Sequence, residues 1–197
     1  VAAALGWSYL DSGALYRLAA LYARRKGVEW TDEAAVAALA AALPAQFDGQ
    51  RVLLDGEDVG NAIRSEEIGM GASAVAQFPA VRAALLQRQR DFQTASGLVA
   101  DGRDMGSVVF PDAALKVFLT ASAQVRAERR AKQLGLPCEG LAFERILADI
   151  EARDEADRCR AAAPLRQLPD ALLLDTSDMG IEEAVKNVVD WYEQKQI

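Results

Sequence analysis

The sequence contains no histidine and only two cysteines, Cys138 and Cys159. Without histidine, neither a Ser-His-Asp nor a Cys-His catalytic device can be assembled from it. Two separated cysteines also exclude the usual structural zinc sites, and no metal-ligating residues are identified. Both cysteines lie in polar segments, which points to free thiols in a reducing compartment and so to the cytoplasm. No run of about 18 apolar residues occurs, so no membrane-spanning helix is expected. The first residues, Val1–Leu5, lack the charged region of a signal peptide. Basic residues are outnumbered: the net charge is -7, a poor bulk match for duplex nucleic acid. Any chemistry must therefore use carboxylates, arginines, hydroxyls or a bound ion.

What is present suits one domain with a small insertion, at 197 residues and 51% hydrophobic content. Val1–Leu5 reads as the last turn of a helix closed by Gly6. Residues 7–10 read as a strand, followed by a helix with Leu15, Leu18 and Tyr22 on one face and Ser12 as its cap. An alanine-rich helix over 32–43 is capped by Thr31 or Asp32. Residues 46–59 alternate short apolar runs with the turn signals Asp48-Gly49 and Asp55-Gly56, which predicts an antiparallel meander. A helix over 66–76 carries Ser73, and Pro79 opens another that runs to about Ala95 with Val81, Leu85 and Phe92 inward. Residues 98–110 begin as a buried strand, present Asp101, Arg103 and Asp104 around Gly102, and turn apolar again. Leu115–Thr120 is a buried-type strand, and Ser122 caps a helix with Arg126 and Arg130 on one face. From Leu141 a helix carries the stripe Phe143, Ile146, Leu147 and Ile150, which continues in phase as Arg153, Asp157 and Arg160. Such a helix leaves the core and lines a cleft. Leu172–Asp175 is the last strand and Ile181 to about Gln194 the closing helix. Strands alternating with helices predict an α/β fold with a doubly wound parallel sheet.

The polar residues that stand out are Ser12, Arg17, Ser73, Arg82, Arg103, Asp104, Arg126, Arg130, Arg153, Asp157 and Arg160. Arg82 lies in the first turn of its helix, where a cation is disfavoured, so a specific acceptor is expected for it. A site rich in arginine, with a few acids and serines and no histidine, suits phosphoryl transfer better than hydrolysis or redox chemistry. Arginines grip phosphate bidentately and neutralise charge in the transition state. A nucleoside monophosphate acceptor loses its second phosphate proton near pH ~6 and needs little base catalysis.

The strings Leu10-Asp-Ser-Gly-Ala-Leu-Tyr-Arg17, Leu53–Val59 with Ile63-Arg64, and Phe78–Arg82 stand in order along the chain. They are followed by Ala100-Asp-Gly-Arg-Asp-Met-Gly106 with Val109–Asp112, then Arg153-Asp with Asp157–Arg160 and Ala163–Leu165. Together they resemble the bacterial cytidylate kinases over essentially the whole sequence. The resemblance implies the nucleoside monophosphate kinase fold and transfer of the γ-phosphoryl group of ATP to CMP or dCMP. It implies that Ser73, Arg82 and Asp104 read the cytosine edge, with Ser12 beside the nucleotide. Arg17, Arg103 and Arg160 would hold phosphate, and Arg153 and Asp157 the sugar hydroxyls, orienting one another. Arg126 and Arg130 would belong to a lid over ATP at about 126–142. Residues 1–30 and 97–197 would form the core domain and 31–96 the acceptor-binding insert. The family's phosphate loop, which handles ATP and Mg²⁺, has no counterpart here, so an N-terminal segment preceding Val1 is expected to carry it, together with a central strand whose loss would leave an apolar slot. A monomer acting on nucleotides alone is expected. The competing readings are a non-catalytic nucleotide-binding module and a kinase of the same fold acting on UMP or a small alcohol.

Overall fold

A computed structural model describes residues 1–48 and 51–195. Its elements are α1 (Ala2–Leu5), β1 (Ser8–Asp11), α2 (Ser12–Arg25), α3 (Glu33–Ala41), β2 (Ala45–Asp48), β3 (Arg51–Leu54) and β4 (Glu57–Asp58). A 3-10 turn at Ala62–Arg64 leads into α4 (Glu66–Val75), α5 (Pro79–Arg90) and β5 (Leu98–Asp101). After a π-helical turn at Met105–Val109 come β6 (Val117–Thr120), α6 (Ala123–Gln133), α7 (Gly140–Cys159), β7 (Leu172–Asp175) and α8 (Ile181–Gln194). The chain divides into two compact units, one from Gly6 to Met105 and one from Gly106 onward together with Ala3–Leu5.

In the first unit, β1 and β5 are parallel neighbours, with Ser8 opposite Leu98 and Asp11 opposite Asp101. α2 supplies the centre of the core through Leu15, Leu18 and Ala19, all fully buried. It packs on α4 and α3, and α3 on α5. Gly71 of α4 lies against Trp30, from the segment between α2 and α3, so closely that an added Cβ would stand 2.5 Å from the Trp30 ring. That ring is pinned by its own N–H, which donates to the Ala20 carbonyl at 2.9 Å. β2, β3 and β4 form the expected antiparallel meander. Asp55 and Gly56 carry φ of 52° and 80°, the left-handed pair that a two-residue hairpin turn needs. Gly49, the second half of the other expected turn, lies outside the described residues.

In the second unit, β6 and β7 are parallel neighbours, joined through α6 and α7. Ala127 and Ala131 of α6 bury Phe143 and Ile146 of α7, with Leu147 and Ile150 packed against them. Each large side chain of this kind contributes about 1.5–3 kcal/mol when fully removed from water. α7 runs on to Cys159, so the stripe does pass from apolar to charged on one continuous helix.

The parallel α/β architecture expected from the sequence is present, and among the described residues its strands form two ladders of two. Several local expectations need correction. Ser12 does not cap α2: Asp11 does, accepting from Ala14 N–H at 2.9 Å, while Ser12 is buried. α5 stops at Arg90 rather than near Ala95, because Phe92 turns away to meet the Phe47 ring edge-on at 5.2 Å. Leu98, Val99 and Ala100 are half-buried. Leu119 and Leu173 are 62% and 53% exposed, although their strands read as buried. Side chains stand on the faces of a strand, and in a ladder of two each is flanked by a neighbouring strand on one side only.

Candidate active site

The parallel register of β1 and β5 places Asp11 and Asp101 abreast at the carboxyl ends of their strands, where open α/β sheets bind ligands. Desolvation and the repulsion of Asp11 push the Asp101 carboxyl above its ordinary range, while Arg103, the Gly102 N–H and Tyr9 pull it back. The Tyr9 hydroxyl is pushed up to about 12 by desolvation and by the two carboxylates. The chain then turns tightly over Ser12. A Cβ at Gly102 would lie 2.9 Å from the Ser12 Cβ, so glycine is what allows the approach.

Two residues past that turn, Asp104 is 5% exposed and ion-paired with Arg82 of α5, whose side chain is 11% exposed. Arg82 also donates to the Ala76 carbonyl at 3.1 Å and stands over the Tyr16 ring, 5.7 Å from its centroid. The acceptor expected for this helix-start arginine is therefore Asp104 together with a backbone carbonyl. A buried ion pair is retained only with satisfied geometry, because desolvating both charges costs several kcal/mol. The Ser12 hydroxyl donates to Gln89 Oε1 at 2.8 Å. Arg17 of α2 donates to the Ile63 and Ser65 carbonyls at 2.8 and 3.4 Å, beside the turn that starts α4. The Ser73 hydroxyl is bonded back to Gly69 O of its own helix at 3.2 Å. Arg103 is exposed. Of the residues singled out in this unit, the structure joins Arg82 to Asp104 and sets Ser12 under the same turn. Ser73 keeps a backbone partner within its own helix, while Arg17 reaches from α2 to backbone carbonyls just ahead of α4.

The other set belongs to the second unit. Arg160, the C-cap of α7, donates its Nε to Ala163 O at 2.8 Å and lies 3.8 Å from Asp157. Both side chains are largely buried. Asp157 also anchors the following loop, its carbonyl accepting from Leu165 N at 2.8 Å. Arg153 and Arg130 are half-buried. Arg126 of α6 has its partner on α7. Its two terminal nitrogens grip both oxygens of Asp154 at 2.9 and 2.5 Å, and its Nε donates to Ala121 O at 3.0 Å.

Two residues of these constellations escape a sequence reading. Asp154 is spaced as an ordinary surface partner of Arg158, and that pair exists at 3.7 Å, but its main partner comes from α6. Gln89 carried a usable signal. It falls in the same phase as Val81 and Leu85, a polar residue on an apolar stripe, and all three are buried.

Among the described residues no three His, Cys, Asp or Glu side chains converge as a metal cage. The paired Asp11 and Asp101 fit Mg²⁺, which takes one or two carboxylates and fills its shell with water and phosphate oxygens.

Sequence comparison converges with this geometry. The cytidylate kinase family model matches residues 1–194. A cytidylate kinase of Neisseria gonorrhoeae is 73% identical over 192 residues, covering 98% of this chain and 88% of the relative. That of Chromobacterium violaceum is 60% identical over 196 residues, covering 100% and 88%. That of Pseudomonas syringae pv. tomato is 56% identical over 191 residues, covering 94% and 83%. The chain belongs to the cytidylate kinase family.

Proposed function

We propose that the protein transfers the γ-phosphoryl group of ATP to CMP or dCMP, giving CDP or dCDP. The observation that carries the choice of acceptor is the buried Arg82–Asp104 pair. It fixes a hydrogen-bond acceptor next to a donor. Cytosine presents the complement, an exocyclic amine beside a ring acceptor, and uracil presents the reverse. The relatives are kinases by name, which favours catalysis over a non-catalytic module.

In this reading Ser73 completes the base contact, and Ser12 lies beside the nucleotide. Arg17, Arg103 and Arg160 bind the acceptor phosphate, already a dianionic nucleophile at neutral pH. Arg153 and Asp157 hold the sugar hydroxyls. Residues 31–96 are the acceptor-binding insert, and 126–142 the lid, with Arg130 facing ATP. Arg126 reaches a phosphate only by exchanging Asp154 for it, since its guanidinium is bidentate on that carboxylate. ATP with its Mg²⁺ supplies the phosphoryl group and screens its charge. The enzyme is taken to act as a cytoplasmic monomer.

A coupled assay of ATP consumption with CMP, dCMP, UMP and AMP tests the acceptor, and a preference for AMP overturns it. Asp104→Ala and Arg82→Met are expected to lower kcat/KM for CMP by about 10–100-fold, the worth of a hydrogen bond to a charged group, with the KM for ATP little changed. Equal losses for CMP and UMP would remove both residues from base recognition.

A further inference from the structure

Gln89 is a long polar side chain that is 1% exposed, and no part of the reading above uses it. Both ends of its amide are engaged. Nε2 donates to the Leu85 carbonyl at 3.3 Å, and Oε1 accepts from the Ser12 hydroxyl at 2.8 Å. The orientation is forced. A carbonyl can only accept, so the NH₂ end must face Leu85 and the oxygen must face Ser12. A hydroxyl carries one proton, and that of Ser12 is thereby committed. What Ser12 retains is its lone pairs, directly beneath the Gly102 turn that leads into Asp104.

We propose that Gln89 is a specificity-positioning residue which holds Ser12 as a pure hydrogen-bond acceptor, so that Ser12 takes the 4-amino group of cytosine and repels the 4-oxo group of uracil. The proposal rests on the CMP reading above and deepens it. A serine free to rotate would donate to uracil as readily as it accepts from cytosine. The buried amide removes that freedom. It lies on a helix stripe whose other members, Val81 and Leu85, are apolar, where an unpaired polar group would cost about 1–3 kcal/mol.

The test compares kcat/KM for CMP, dCMP and UMP in the enzyme and in Gln89→Met, Gln89→Glu, Ser12→Ala and the Ser12→Ala/Gln89→Met double variant. Methionine keeps the volume but offers only a weak sulfur acceptor in place of the amide oxygen, so the CMP-to-UMP ratio is expected to fall by about tenfold. Glutamate still accepts from Ser12 and is expected to preserve the ratio. In the Ser12→Ala background, Gln89→Met should leave the ratio unmoved. A ratio change that persists without Ser12, a parallel loss for CMP and UMP, or a shift in the CMP-to-dCMP ratio alone would each overturn the proposal. Should Gln89→Met fail to fold, Ser12→Ala decides: a loss confined to CMP supports the acceptor role, and an equal loss for UMP overturns it. A wild type with no preference for CMP overturns the proposed function. A wild type with that preference, and a ratio that Gln89→Met leaves unmoved, overturns the Gln89 assignment alone.

Discussion

Asp101 shows how a residue's chemistry is made by its neighbour in the next strand. The register that sets it beside Asp11 also raises its pKa, with desolvation as the larger cause. An acid whose folded pKa lies above its unfolded one binds more protons when folded, so stability falls as pH rises through the interval between the two. Asp101→Asn removes that penalty. Its melting temperature should exceed that of the wild type at pH 7, and the gap should close below about pH 4, where the unfolded carboxyl is protonated as well. An unchanged gap across that range would show that Asp101 carries no such penalty. The turn residues Asp101, Gly102, Arg103 and Asp104 were legible in the sequence as a charged strand end. That Asp104 is buried on Arg82 while Arg103 is exposed was not. Spacing along a strand says nothing about which helix covers it. Likewise Asp11-Ser12 reads as a helix start, yet which of the two is the cap was settled by Gln89, which claims the serine.

At the scale of elements, α7 is the instructive one. Its stripe Phe143, Ile146, Leu147, Ile150 and its charged continuation could be read off the periodicity, and the helix does run to Cys159. The seam with α6 could not. Arg126 and Asp154 lie 28 residues apart and meet across the seam where Ala127 and Ala131 pack on Phe143 and Ile146. The bidentate geometry is specific to arginine, since lysine has no planar fork. Asp154→Asn and Arg126→Met are each expected to lower unfolding stability by about 1–2 kcal/mol, less than a fully buried pair would cost, because Arg126 is one-third exposed. In urea titrations the double variant should lose little more than either single one, the signature of one shared interaction. Full additivity would mean that the two residues act separately.

On the scale of the whole molecule, the acceptor site should report itself through stability. A ligand that binds only the folded state adds RT ln(1 + [L]/Kd), about 2.7 kcal/mol at a hundredfold excess over Kd. CMP at such a concentration should raise the melting temperature of the enzyme measurably, and AMP at the same concentration much less. Equal shifts would remove cytosine selectivity from the proposed site. The same scale separates what could be read from the chain from what could not. The absence of histidine, the clustering of arginine and the order of short motifs were enough to point to phosphoryl transfer and to the family that the comparisons show.

Caps, turns and periodicity are local, so the helices, the meander with its Asp55-Gly56 turn, and the strands that end in charge can be read along the chain. Which polar groups face one another is set by packing between elements. Asp104 meets Arg82 across 22 residues, Asp154 meets Arg126 across 28, and Gln89 meets Ser12 across 77. Such partners are selected by desolvation, because a polar group that folding removes from water must find its complement wherever packing brings one. No pattern within one element encodes that choice.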